Sequence, residues 1–114
     1  MTRRASSSEA CAPSGHAAVG DHVAPQRAVE RAAALFRALG DASRIRLVER
    51  LLSGDRCVGD LASETTTPMS TVSQQLRLLR AEGIVSRRRV GKHIYYALAD
   101  GAVSEWVRAA LGRS

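Results

Sequence analysis

Aromatic side chains are scarce in this 114-residue chain, which has one Trp, two Tyr and one Phe. Proteins that hold single-stranded nucleic acid stack bases on aromatic platforms, so that activity is excluded as the main role. Cysteine is also rare, at two residues. That excludes a disulfide scaffold and leaves the thiols as free groups or metal ligands. Acidic residues are in deficit, with 11 Asp and Glu against 17 Lys and Arg and a formal charge of +6. The excess suits a polyanionic partner. No apolar run approaches the roughly 20 residues of a membrane helix. The first residues also lack the apolar stretch of a signal peptide. The expectation is a cytoplasmic protein with no membrane partner. No nucleophile–base–acid set and no cleft-forming α/β alternation is present, so neither an enzyme nor a small organic substrate is expected.

The chain is long enough for one domain with a modest core. Residues 1–23 are rich in Ser, Ala and Gly, include Pro13 and show no sustained period, which predicts a mobile N-terminal arm. Residues 24–114 form the expected domain. Pro25 suits the first turn of a helix carrying Val29, Ala32, Ala33, Phe36 and Leu39, which Gly40 ends. Asp41 or Ser43 then caps a second helix through Ile45, Leu47, Val48, Leu51 and Leu52. Asp55 is expected to cap a short third helix from about Cys57 to Glu64, with Val58 and Leu61 inward. Thr65-Thr66-Thr67-Pro68 disfavours helix and makes a tight connection. A last amphipathic helix carries Val103, Trp106, Val107 and Ala110.

The stretch from Ser70 to Leu98 is the most informative part of the chain. From Met69 to Arg80, Val72, Leu76 and Leu79 fall on one helical face, while Ser70, Thr71, Ser73, Gln74, Gln75 and Arg77 occupy the other. Gly83 stops the helix. Two strands, Val85 to Val90 and His93 to Leu98, flank a Gly91-Lys92 turn and carry Arg87, Arg88, Arg89 and Lys92. A polar helix face beside a basic hairpin reads base edges while holding phosphates, which points to double-stranded DNA. The bland alternative for the basic run is a solvated edge that discourages strand pairing. Two short helices joined by a brief turn make a helix-turn-helix, with the second in the major groove. The predicted class is therefore mainly α with a small β-hairpin, a winged helix-turn-helix. The first and last helices have apolar faces that so small a core does not fully cover, which predicts a homodimer. Paired recognition helices about 34 Å apart match half-sites one DNA turn apart.

Three runs, Phe36 to Leu47, Asp55 to Ala62 and Ser70 to Leu79, resemble the ArsR/SmtB family of winged-helix repressors. The ribbon from Arg89 to Leu98 looks like that family's wing, and the resemblance spans roughly residues 30–111. It implies a homodimeric repressor that leaves its operator when an inducer, commonly a metal ion, binds, controlling metal efflux or sequestration genes. Gln74 and Gln75 stand where the family usually has histidines, and glutamine still donates to and accepts from adenine.

Cys57 and Asp60, three residues apart at the start of the short helix, project from one face. The helix dipole and exposed N–H groups stabilise a thiolate there. Zinc usually takes four ligands, and the arm offers Cys11 and His16, with His22 as the substitute for His16. In a subset of the family a Cys and a His of the arm join a Cys and an Asp of this helix, so the resemblance implies Cys11, His16, Cys57 and Asp60 as the ligand set. Two thiolates, an imidazole and a carboxylate suit Zn2+, with Cd2+ the main rival. The family's other zinc site, on the last helix, keeps only Asp100 here. Cys57 as a small buried hydrophobe, Asp60 as a dipole-complementing acid, and Cys11 and His16 as passengers stay open. Two other functions also stay open: a thiol-redox repressor using Cys11 and Cys57, and a basic architectural protein without sequence preference.

Overall fold

The computed structural model of the protein describes residues 23–113. Helix α1 spans Gln26–Leu39 and starts at Pro25, whose carbonyl accepts from the amides of Ala28 and Val29. Proline fits a helix start because its fixed φ suits entry and its missing N–H has no intrahelical partner to lose. Helix α2 spans Ala42–Leu51, and Asp41 caps it by accepting from the amides of Ser43 and Arg44. Strand β1 is the pair Arg56–Cys57, followed directly by α3, Val58–Thr65. Helix α4 spans Met69–Ala81, and β2 (Val85–Val90) and β3 (His93–Leu98) form the hairpin. Helix α5, Gly101–Ala110, is capped by Asp100, which accepts from the Val103 amide at 3.0 Å.

The helices pack through the stripes their periodicity marks. Leu47, Val48 and Leu51 of α2 meet Leu61 of α3, Val72, Leu76 and Leu79 of α4, and Val103 and Val107 of α5, with Ile84 and Val85 beneath the hairpin. Each such fully buried aliphatic side chain contributes about 1.5–3 kcal/mol of transfer free energy. Between α3 and α4, Thr66 takes the left-handed conformation at φ 52°, and the Thr67 amide donates back to the Ala62 carbonyl at 2.9 Å. That left-handed turn lets two helices meet within three residues.

Two expectations are corrected. Asp55 does not cap α3: the N-cap is Cys57, whose side chain makes no capping hydrogen bond, and the Asp55 carboxylate pairs with Arg88 at 2.9 Å. The hairpin is also part of a three-stranded antiparallel sheet in the order β1-β3-β2, in which Arg56 pairs with Tyr96 and Cys57 with Tyr95. The long-range guanidinium partner wins Asp55 from the local cap.

Helix α1 turns Leu35, Ala38 and Leu39 to the core and leaves Phe36 58% exposed. Phe36 stacks on Trp106 of α5, with ring centroids 4.9 Å apart and planes at 14°. Phe36, Leu39, Ile45, Trp106, Val107 and Ala110 line an apolar groove of about 450 Å³ there.

Candidate functional site

Burying Val72, Leu76 and Leu79 fixes the roll of α4 and turns its polar face outward. Ser70, Ser73, Gln74 and Arg77 are exposed, and Thr71 and Gln75 are half-buried against α2. Helix α4 is followed at once by the hairpin, because Gly83, at φ 74°, reverses the chain and the Ile84 amide donates to the Leu79 carbonyl. Helix α4 and the hairpin thus form one continuous unit.

The register of the hairpin divides its basic residues. Arg87 pairs with Tyr96 and Arg89 with Ile94, whereas Arg88 pairs with Tyr95. Alternate strand residues point to opposite faces, so Arg87 and Arg89 share the face of buried Tyr96 and Arg88 takes the other. Arg88 is held there by Asp55, while Arg87, Arg89 and Lys92 are exposed, with no acidic partner among the described residues. Between α4 and β2 lies a polar cleft of about 230 Å³ lined by Ser73, Leu76, Arg77, Arg80, Arg87 and Tyr96. Its three guanidiniums have no carboxylate partner among the described residues, a geometry suited to an anion. Arg80 also belongs to this cleft, and its i+3 spacing from Arg77 is the sequence signal that marks it.

Arg44 was also missed, and nothing in its local sequence marks it. Its guanidinium donates through Nε to the Ala38 carbonyl at 2.5 Å and through Nη1 to Gln75 Oε1 at 2.9 Å, joining α1, α2 and α4. Asp41 lies beside it. The Ser43 hydroxyl, then the Arg44 and Ser43 amides, hold the Asp41 carboxyl below its ordinary pKa. Near β1, hydrogen bonding from Arg50 and then Arg56 likewise lowers that of Glu64.

Of the expected metal ligands, Cys57 and Asp60 are described, and Cys11, His16 and the substitute His22 lie outside the described residues. Cys57 is half-buried, with its thiol free, and Asp60 is exposed in the first turn of α3. Neither makes a side-chain hydrogen bond or ion pair among the described residues, so both are unengaged donors of the right chemistry for a borderline-soft ion. No third His, Cys, Asp or Glu joins them among the described residues. His93 sits near the wing turn beside Tyr95. Asp100 is occupied as the α5 cap.

The sequence pattern described as "Bacterial regulatory protein, arsR family" matches residues 41–87, from the α2 cap to the middle of β2. The solved transcriptional repressor BigR of Xylella fastidiosa is 33% identical, with a TM-score of 0.70 over 76% of this chain and 89% of that one. The chain belongs to the ArsR family. Within the family, it is 44% identical over 79 residues to the transcriptional repressor SmtB homolog of Synechocystis, covering 69% of this chain and 60% of that protein. It is 39% identical over 79 residues to a cadmium resistance transcriptional regulatory protein CadC homolog of Staphylococcus aureus, 68% of this chain and 65% of that one. The chain thus spans less than two thirds of those two ArsR-family proteins. The homodimeric winged helix-turn-helix DNA-binding domain of Mb0332 from Mycobacterium bovis superposes with a TM-score of 0.71 at 26% identity, over 81% of this chain and 87% of that one. The fold of this ArsR-family chain is accordingly a winged helix-turn-helix, a regulator's fold and not an enzyme's.

Proposed function

We propose that the chain is a metal-responsive transcriptional repressor that binds a palindromic operator as a homodimer and is released when zinc, or cadmium as its rival, binds. The observation that carries the DNA reading is the single basic surface formed by the polar face of α4 and the cleft of Arg77, Arg80 and Arg87. Ser70, Thr71, Ser73, Gln74, Gln75 and Arg77 would meet base edges, and Arg87, Arg89 and Lys92 the phosphates. Arg88, on the opposite face of the ribbon, would reach a phosphate only from that side and only on leaving Asp55. The Mb0332 domain supports the dimer reading, as does the exposed Phe36–Trp106 stack.

The ion would be held by Cys57 and Asp60 together with Cys11 and His16, and it would supply a cross-link between the N-terminal arm and the start of α3. The CadC relative's name supports a metal inducer, and the unengaged Cys57 and Asp60 support their half of this set. The chain offers two routes from Cys57 to the DNA-binding surface. One runs through α3 and the tight Thr66-Thr67-Pro68 turn into α4. The other runs through β1, whose Cys57 pairs with Tyr95 of the wing. Release requires that the ion favour the arrangement that does not fit DNA, and couplings of about 1–3 kcal/mol are typical. The regulated genes would be metal efflux or sequestration genes, the repressor's own promoter included.

The test is a mobility shift of the purified chain on its own upstream DNA during a zinc titration, repeated with cadmium. The expected result is a retarded band lost as metal is added, with that loss abolished in Cys57→Ser and in an Asp60→Ala/His16→Ala double variant. Metal-driven release that persists in the double variant overturns the ligand set, and release by oxidant without any effect of metal favours the thiol-redox alternative through Cys11 and Cys57. Equal binding to operator and scrambled DNA identifies an architectural protein instead.

A further inference from the structure

Among the described residues, Gln75 is the one member of the reading face whose side chain is hydrogen-bonded to another element. Its partner, Arg44, is 17% exposed at the side chain and lies within 4.0 Å of Asp41. The guanidinium bonds the Ala38 carbonyl through Nε, reaches the Arg37 carbonyl through Nη2 at 3.4 Å, and gives Nη1 to Gln75. It is thus anchored on the last carbonyls of α1, where a cation also complements the helix dipole. A guanidinium has only donors, so the Gln75 atom facing it must be the carbonyl oxygen. The usual ambiguity in the sense of a glutamine amide is removed by chemistry here. Among the described residues, Nε2 of Gln75 makes no hydrogen bond.

We propose that Arg44 is a positioning residue for base recognition: it holds the Gln75 carboxamide by its oxygen and leaves its NH2 free for the DNA groove, so Gln75 reads as a donor. This rests on the DNA-binding reading above and goes beyond it. The NH2 group favours a base presenting an acceptor in the major groove, namely guanine N7 or O6, adenine N7 or thymine O4, and disfavours cytosine, which presents the N4 donor. The same bond ties the end of α1 to the reading head. A shift of α1 against α2 therefore alters which edge of Gln75 the DNA meets.

The experiment selects random-sequence duplexes with the full chain, sequences the enriched pool, and compares wild type with Gln75→Glu, Arg44→Met and Arg44→Lys. Far-ultraviolet circular dichroism melts accompany each variant. In Gln75→Glu the bond to Arg44 is kept but the donor is lost, so one position in each half-site changes from an acceptor-presenting base to cytosine. In Arg44→Met the same position loses its preference by roughly 3- to 10-fold, the worth of one hydrogen bond, and the other positions hold. Arg44→Lys, which still offers a donor to Oε1, recovers part of it. A merely structural Arg44 would lower all affinities together and leave the base ratios unchanged. If the Arg44 variants melt below the assay temperature, Gln75→Glu decides alone. An unchanged consensus in Gln75→Glu overturns the proposal, as does an unchanged one in a folded Arg44→Met. A wild-type chain that enriches no sequence at all overturns the sequence-specific reading itself, a result distinct from these.

Discussion

At the scale of single residues, carboxylates that accept hydrogen bonds from the backbone and from arginines set much of the local order. Asp100 accepts from the Val103 amide and starts the helix that buries Val103 and Val107. Asp100→Ala leaves that amide without a side-chain partner and should lower unfolding stability by about 1 kcal/mol in urea titration. Asp41 and Glu64 act on acid stability. Both have pKa values held below their ordinary 3.8 and 4.5 in the folded chain. The unfolded chain therefore binds protons first as pH falls, so their contribution is present above those ordinary values and is lost as pH drops through them toward the lowered ones. Thermal melts from pH 6 to pH 2 should show a shallower acid decline in Asp41→Asn and in Glu64→Gln. Arg80 bears on DNA. If the cleft of Arg77, Arg80 and Arg87 holds one phosphate, Arg80→Ala weakens binding evenly across sequences and flattens the log K against log salt slope by about 0.9. An unchanged slope would take Arg80 out of the interface.

At the scale of elements, periodicity reported the helices well because each is long enough to repeat its stripe. Val72, Leu76 and Leu79 of α4 are buried as the spacing predicts. Strand β1 was illegible for the opposite reason: two residues show no alternation, and its partners Tyr95 and Tyr96 lie far along the chain. Asp55 misled because local sequence offers a capping carboxylate while the tertiary structure offers it Arg88. Of the candidate site, the exposed positions of α4 and the basic ribbon were legible. The splitting of Arg88 from Arg87 and Arg89 needed the register, and the Arg44–Gln75 bond needed the packing of α1 and α2 on α4. The α3–α4 turn also carries strain that its sequence only hints at. Thr66 is β-branched and sits at φ 52°, a conformation in which an L-residue clashes with its own carbonyl. Thr66→Gly should therefore raise stability by about 1 kcal/mol despite glycine's larger unfolded-state entropy. Equilibrium unfolding checks this, and a destabilised variant would show that the Thr66 side chain makes a compensating contact.

At the scale of the whole molecule, the feature left unexplained by one chain alone is the apolar seam of α1 and α5. Val29, Phe36, Trp106 and Leu111 are exposed while Leu35, Leu39, Val103 and Val107 of the same two helices are buried. Periodicity identified a shared apolar face but not which part of it meets the chain's own core, and the outward part is what a second copy would cover. A symmetric pairing along this seam would serve DNA reading only if it set the two α4 helices on one side of the assembly, as two half-sites require. Replacing Phe36 with Glu puts a charge where the Trp106 ring now stacks, and burying it against a second copy would cost several kcal/mol. Because Phe36 is 58% exposed in the single chain, the same replacement should leave the monomer's fold and helix content intact. Light scattering coupled to size exclusion should then show Phe36→Glu at half the wild-type mass. Its affinity for a two-half-site duplex should fall to about that for a single half-site, because linking two reading heads is what multiplies affinity without new contacts. A variant that stays at the wild-type mass would place the subunit contact elsewhere, and a wild type that runs as a monomer would remove the dimer from the scheme.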